Sequence, residues 1–245
     1  MVQSDFGALL VLDRDEGRLG ECALALVRLG VHALYANDLH EAALLARQEG
    51  RRLRAALLPS SASLRQIDES LEALAPHTRI QPASVALTGA RPADADVEAL
   101  RERGLRWCLW DARDAAELRF LATLVVWEGS DSELRIEPRV PVSLRASVTV
   151  AGRSRPARVL DLTTAGAFLE LDSPPAPGRS LGVEIELPSG PVALVAHVRW
   201  ARAAAEPGPP ERPSGIGVEF GPPRPAEARA LRTAMAQGMA RYELR

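Results

Sequence analysis

Two short polar clusters carry most of the chemistry this chain could perform. Arg135-Ile-Glu-Pro-Arg139 leads into the strand-like run Val140–Val150, and Asp161-Leu-Thr-Thr-Ala-Gly166 follows the strand-like run Pro156–Leu160. Arginine is permanently charged, planar and forked. Each of Arg135 and Arg139 can therefore grip a phosphate, or the O6/N7 edge of a guanine, through two parallel hydrogen bonds. The flat guanidinium can also stack on a purine. Asp161 can accept from guanine N1–H and N2–H₂, Thr163 offers a hydroxyl, and Gly166 permits positive φ and close approach of the backbone to a ligand. Pro138 holds Glu137 extended, so the two arginines read as lead-in loop and strand start and not as one face of a helix. From the residues alone, Asp161–Gly166 is equally an Asx-type turn that closes a β-connection.

The arginine spacing says little by itself. All 30 basic residues are arginine, and Arg14/Arg18, Arg47/Arg51 and Arg241/Arg245 repeat the spacing as solvated charge. Order carries more. The Asp-x-Thr-x-x-Gly turn occurs once, downstream of the Arg135 pair, and Ser214-Gly-Ile-Gly-Val-Glu-Phe220 reads as a closing strand. Taken in this order, the three features resemble the PilZ domain, the bacterial receptor module for cyclic di-GMP (c-di-GMP). That family's pattern is RxxxR followed by (D/N)xSxxG, and Thr163 stands here where the family usually has serine. The resemblance covers residues 135 to 221. It implies an antiparallel β-barrel with Arg135, Arg139, Asp161, Thr163 and Gly166 as the c-di-GMP ligands, no metal, and an output in motility or biofilm regulation.

The elements that must position these residues follow from periodicity. Strand-like runs at Pro156–Leu160, Ala167–Leu171, Ser180–Leu187, Val192–Ala201 and Ile216–Phe220 continue from Val140–Val150, with a hairpin turn at Pro188-Ser-Gly190. Ala203–Pro213 reads as a loop, and Ala226–Tyr242 as an Ala-rich helix with Ala230, Leu231, Ala234, Met235 and Met239 on one buried stripe.

The first half alternates differently. Apolar runs at Ala8–Leu12, His32–Ala36, Arg54–Leu58, Ser84–Leu87 and Arg106–Leu109 are separated by helical stretches such as Glu21–Leu29, His40–Arg47 and Ala93–Arg103, and Asp114–Val126 closes the series. Alternation of this kind predicts a flavodoxin-like (βα)5 domain whose parallel sheet is covered on both faces. The half resembles the receiver domain of bacterial response regulators over residues 6 to 127. Asp13 and Asp15 stand where receivers hold Mg²⁺, and Thr88 where they keep a switch hydroxyl. The phosphoacceptor position reads Leu58-Pro59-Ser60-Ser61 and the lysine position Trp110-Asp111. An acidic pair without acceptor or lysine cannot run phosphoryl transfer, so Asp13 and Asp15 read as solvated loop acids or a helix cap. This half is then a pseudo-receiver used for contacts, with Trp107, Trp110, Phe120 and Trp127 as its expected contact surface. Residues 1–127, a 128–134 linker rich in Gly, Ser and acid, and residues 135–245 are the expected divisions.

Composition bounds the function. A chain of 245 residues with 47% hydrophobic content can bury two modest cores. A net charge of −2 argues against a general nucleic-acid binder. Cys22 and Cys108 lie in apolar segments and read as free thiols, and the four histidines show no ligand spacing. No targeting segment is recognisable, and the apolar run Phe120–Trp127 falls far short of the roughly 20 residues that span a bilayer, so a cytoplasmic protein is expected. Two function classes follow. One is a c-di-GMP effector that reports the second messenger to a protein partner. The other is an adaptor without ligand that acts only through protein contacts. An enzyme is the least favoured reading, because no nucleophile–base pair, metal cluster or phosphate loop is present.

Overall fold

A computed structural model describes residues 7–14, 19–111, 115–128, 139–203 and 213–245. Arg135, Asp15 and all of the expected linker except Glu128 lie outside the described residues, as does most of the Ala203–Pro213 loop. The chain divides into two compact units, Met1–Arg135 together with Arg241–Arg245, and Ile136–Ala240.

The first unit is a parallel sheet of β1 (Ala8–Leu12), β2 (Ala33–Ala36), β3 (Leu53–Pro59), β4 (Val85–Gly89) and β5 (Trp107–Trp110), in the order β2-β1-β3-β4-β5. Every residue of β1 is fully buried, as expected where helices cover both faces of a sheet. The helices are α1 (Gly20–Arg28), α2 (Leu39–Glu49), α3 (Leu64–Leu74), α4 (Asp94–Glu102) and α5 (Ala115–Glu128). Alternate strand residues Ala8, Leu10, Leu12, Ala56, Leu58 and Leu87 share one core with Ala42, Ala46, Ile67, Leu74, Val97 and Leu100 of α2, α3 and α4. This is the flavodoxin-like arrangement. Asp38 starts α2 by accepting from the Glu41 N–H at 2.8 Å. Helix α3 is the helix that the (βα)5 expectation requires after the third strand without giving its range; its start is a capping box between Ser63 and Gln66, a signal legible at Ser-x-x-Gln.

The second unit is a closed antiparallel barrel. Its strands are β6 (Val140–Val150), β7 (Arg153–Leu162), β8 (Gly166–Glu170), β9 (Ser180–Leu187), β10 (Gly190–Arg202) and β11 (Gly215–Phe220), ordered β10-β11-β8-β7-β6-β9. Along β9 and β10 the residues Leu181, Val183, Ile185, Leu187 and Val192, Leu194, Ala196, Val198 point inward in strict alternation. Helix α6 (Pro225–Met239) packs against β6, β9 and β10 and buries Leu231, Ala234 and Met235.

The expected helix to Tyr242 stops short, at Met239. Tyr242 is 1% exposed in the first unit, its ring centroid 4.6 Å from that of Phe120. Trp107 and Phe120 are likewise buried, so half of the expected aromatic contact surface is core. Among the described residues no helix is long and apolar enough to cross a membrane.

Burial pushes the Cys108 thiol up to about 12, and burial, followed by the nearby Glu21 and Asp13 charges, also raises that of Cys22. Reaction requires the thiolate, so native protein at about pH 8 should alkylate slowly at both positions, Cys108 the slower. Iodoacetamide labelling followed by intact-mass spectrometry, with and without denaturant, checks this; rapid native labelling of Cys108 would contradict the packing.

Candidate functional site

The site residues are carried by one lateral row across five barrel strands. Pro141 on β6 stands opposite Asp161 on β7, Asp161 opposite Phe168 on β8, Phe168 opposite Gly217 on β11, and Gly217 opposite Trp200 on β10. Three register shifts flank this row, between Pro141 and Leu144, between Val159 and Asp161, and between Val198 and Trp200. A bulge inserts one residue and so reverses which side chains face outward. Val159 and Val198 are core residues, and in a regular strand Asp161 and Trp200, two positions on, would follow them into the barrel. The extra residues Leu160 and Arg199 turn Asp161 and Trp200 outward. That re-aiming makes the site.

Asp161 Oδ1 accepts from the Arg139 guanidinium at 3.1 Å and from the Phe168 backbone N–H at 3.0 Å. Its other oxygen, Oδ2, takes no hydrogen bond among the described residues, and Arg139 spends one N–H of five on the carboxylate. The pair is half exposed, with side chains 44% and 32% accessible, so it contributes little stability and remains open to a ligand. Sequence reading started a turn at Asp161; the bulge instead keeps Asp161 and Leu162 in β7, and only residues 163–165 turn.

Thr163 is buried, and its hydroxyl is engaged inside that turn. It donates to the Gly166 carbonyl at 3.2 Å and accepts from the Ala165 N–H at 3.1 Å. Gly166 does not use the positive φ that glycine permits. A Cβ there would lie 2.3 Å from the Val218 carbonyl oxygen, so the glycine is required by the close approach of β11. Arg135 lies outside the described residues.

Sequence reasoning missed the aromatic end of the row. Trp200 stacks on Phe168 with centroids 5.3 Å apart and planes 14° from parallel, and it stays 38% exposed. The Arg202 guanidinium lies 5.3 Å from the Trp200 centroid and 5.6 Å from that of Phe168, within cation–π reach. Gly217 makes room for this stack, since a Cβ there would meet the Trp200 ring at 2.2 Å. The available signal was Trp-x-Arg at the end of a strand paired with the Gly-Ile-Gly strand. A tryptophan in phase with Val198 reads as core until the bulge is seen.

Residues 133–237 match the PilZ domain family, spanning the arginine lead-in, the row and most of α6. This segment is a PilZ domain. Its barrel is similar to the PilZ domain with c-di-GMP of YcgR from Escherichia coli, at 15% identity and TM-score 0.38, over 44% of this chain and 93% of that one. It is also similar to the inhibitor of motility MotI/DgrA of Bacillus subtilis, at 15% identity and TM-score 0.36, over 44% and 52% of the two chains. The MrkH–c-di-GMP complex of K. pneumonia aligns at 12% identity and TM-score 0.38, over 44% and 53%. The aligned part thus spans about half the length of these last two proteins. No curated protein sequence is significantly similar to the chain.

In the first unit, the carboxyl ends of β3 and β4 open into a cleft of about 860 Å³ lined by Pro59, Ser60, Ser61, Thr88 and Gly89 among others. Asp13, expected as a solvated loop acid or a helix cap, is 3% exposed and accepts from the Leu19 N–H at 2.8 Å at the start of α1, which excludes the first of these. Thr88 donates to the Leu109 carbonyl at 3.1 Å. No group of three or more His, Cys, Asp or Glu side chains among the described residues could hold a metal.

Gly166 and Gly217 of the PilZ barrel, like Gly215, leave no room for a Cβ, and Gly182 serves as control. Gly166→Ala and Gly217→Ala should each destabilise the barrel by about 1–3 kcal/mol, because backbone or ring must move. Gly182→Ala, whose Cβ would meet nothing closer than Thr149 at 3.7 Å, should be neutral within about 0.5 kcal/mol. Urea unfolding midpoints at constant m compare the three.

Proposed function

We propose that the PilZ barrel is a c-di-GMP receptor whose site is built on Arg139, Asp161 and Arg135, with Trp200 and Arg202 as a stacking surface. The observation that carries this reading is the Arg139–Asp161 pair on the bulged row. Among the described residues it sets a guanidinium that commits one N–H to Asp161 beside a carboxylate whose Oδ2 takes no hydrogen bond. Phosphate or the guanine O6/N7 edge suits the first, and guanine N1–H and N2–H₂ suit the second. The indole and guanidinium at the far end of the row present flat surfaces on which a purine can stack. Family membership of residues 133–237 supports the same ligand, since PilZ domains are a c-di-GMP receptor family.

Thr163 and Gly166 then act through the turn and not by touching ligand. Thr163 in place of the family serine keeps the hydroxyl that pins the turn, so the substitution is conservative for that role. The division into residues 1–127, a 128–134 linker and residues 135–245 belongs to the same reading, with the first part a pseudo-receiver that presents contacts to a protein partner. The cleft at the ends of β3 and β4 has Pro59 and serines where an acceptor carboxylate would be needed, which supports a non-phosphorylated role.

Calorimetry with c-di-GMP should show saturable binding to the wild-type chain. Arg135→Ala, Arg139→Ala and Asp161→Ala should each weaken it about ten- to a hundred-fold, the loss of one charged hydrogen bond of about 1.5–3 kcal/mol. Trp200→Ala should cost about 1–3 kcal/mol of stacking. No heat with wild type at saturating ligand would replace the receptor with the ligand-free adaptor. Wild-type affinity in both arginine variants would place the site elsewhere.

Incubation with acetyl phosphate and Mg²⁺ should leave the intact mass unchanged. A single phosphate adduct on an acidic residue of the first unit would contradict the pseudo-receiver reading.

A further inference from the structure

β5 is the last strand of the parallel sheet, and such an edge offers unpaired N–H and C=O groups to any extended chain. Here the chain's own last residues fill it. The Cys108 N–H donates to the Tyr242 carbonyl at 2.8 Å, and the Leu244 N–H to the Arg106 carbonyl at 2.9 Å. Trp107 and Glu243 are opposed as an antiparallel bridge. Side chains add selectivity. Tyr242 packs on Phe120, and Leu244, 5% exposed, joins the core cluster of Cys108 and Val97. Arg241 donates to Glu117 at 2.6 Å, a carboxylate only 10% accessible. Arg91 donates to the Arg245 carbonyl at 3.1 Å.

Main-chain pairing on a sheet edge with pockets for alternate side chains is the physics of strand-addition peptide recognition. The occupant defines the pattern. An Arg fits the buried Glu117, an aromatic ring fits Phe120, any residue follows, and an aliphatic side chain enters the core. The hold is short, with one bridge and two buried side chains.

We propose that the β5 edge, with Phe120 and Glu117, is a docking site for an extended segment of a partner protein carrying Arg-aromatic-x-aliphatic. Residues 241–245 are its occupant in the unbound chain, and the partner's segment exchanges with them. The proposal does not depend on the c-di-GMP reading.

The probe is a fluorescein-labelled hexapeptide with the sequence of residues 240–245. Its polarisation is measured with the wild-type full chain and with full-length Tyr242→Ser/Leu244→Ser, in which the tail loses its anchors. The variant should bind the peptide at least about ten-fold more tightly than wild type, because the edge is no longer filled in cis. A peptide with its tyrosine replaced by alanine should not compete. Equal binding to both proteins, or none to a variant whose β1 and β3 amides remain protected from exchange, would overturn the proposal. Hydrogen exchange on the wild type provides an arm that survives misfolding of the variant. Amides of residues 106–108 and 241–245 should exchange through a local opening with weak denaturant dependence. Exchange of these amides only with global loss of the sheet would overturn the proposal. So would wild-type dimers that the double substitution dissolves, since they would assign the edge to a second copy.

Discussion

The candidate site depends on one carboxylate being held outside a barrel whose strand phase would place it inside. Asp161 shares the phase of Val159, and a charged group buried there without a full set of partners would cost several kcal/mol. The bulge at Leu160 avoids that cost. The Phe168 N–H then fixes the carboxylate from the neighbouring strand, and Arg139 closes on it from the start of β6. Three strands therefore agree on the position of one oxygen. Arg139, by contrast, is held among the described residues only by a half-exposed pair.

The same device sets the other end of the row. A bulge at Arg199 brings Trp200 outside, Gly217 removes the Cβ that would collide with it, and Phe168 provides the face beneath it. Phe168 joins the two ends, because its N–H anchors Asp161 and its ring stacks on Trp200. A change at Phe168 would disturb both. Bulges are local defects in pairing that a closed barrel tolerates because the remaining ladder still satisfies its backbone groups. Three of them beside one row concentrate that tolerance where polar and aromatic groups are needed.

The first unit illustrates the opposite economy. Its inner strands β1, β3 and β4 are largely buried, α2 and α3 begin at recognisable side-chain caps, and Asp13 is withdrawn into a hydrogen bond with the Leu19 N–H. Tyr242 and Leu244 complete its core from the far end of the chain. A sheet edge that ordinarily needs charge or a covering element is here closed by five residues.

The (βα)5 class of the first unit, the number of strands in both units, and the arginine and Asp-x-Thr-x-x-Gly clusters were legible from residue types and spacing, and the resemblance carried by those clusters implied the barrel. Periodicity and turn chemistry are decided by near neighbours in sequence. Tertiary structure decided the rest. Gly166 reads as a φ-permissive turn residue, yet the Val218 carbonyl of another strand is what excludes its Cβ. Trp200 was not singled out, because the bulge that expels it is a matter of register between strands, invisible to alternation within one strand. Tyr242 reads as the end of a helix, because its partner Phe120 lies more than a hundred residues away in sequence. What sequence determined about this protein is which segments form which elements and which side chains could do chemistry. What only the tertiary structure decided is which of those side chains meet, because that depends on pairing between strands and on contacts that no local pattern records.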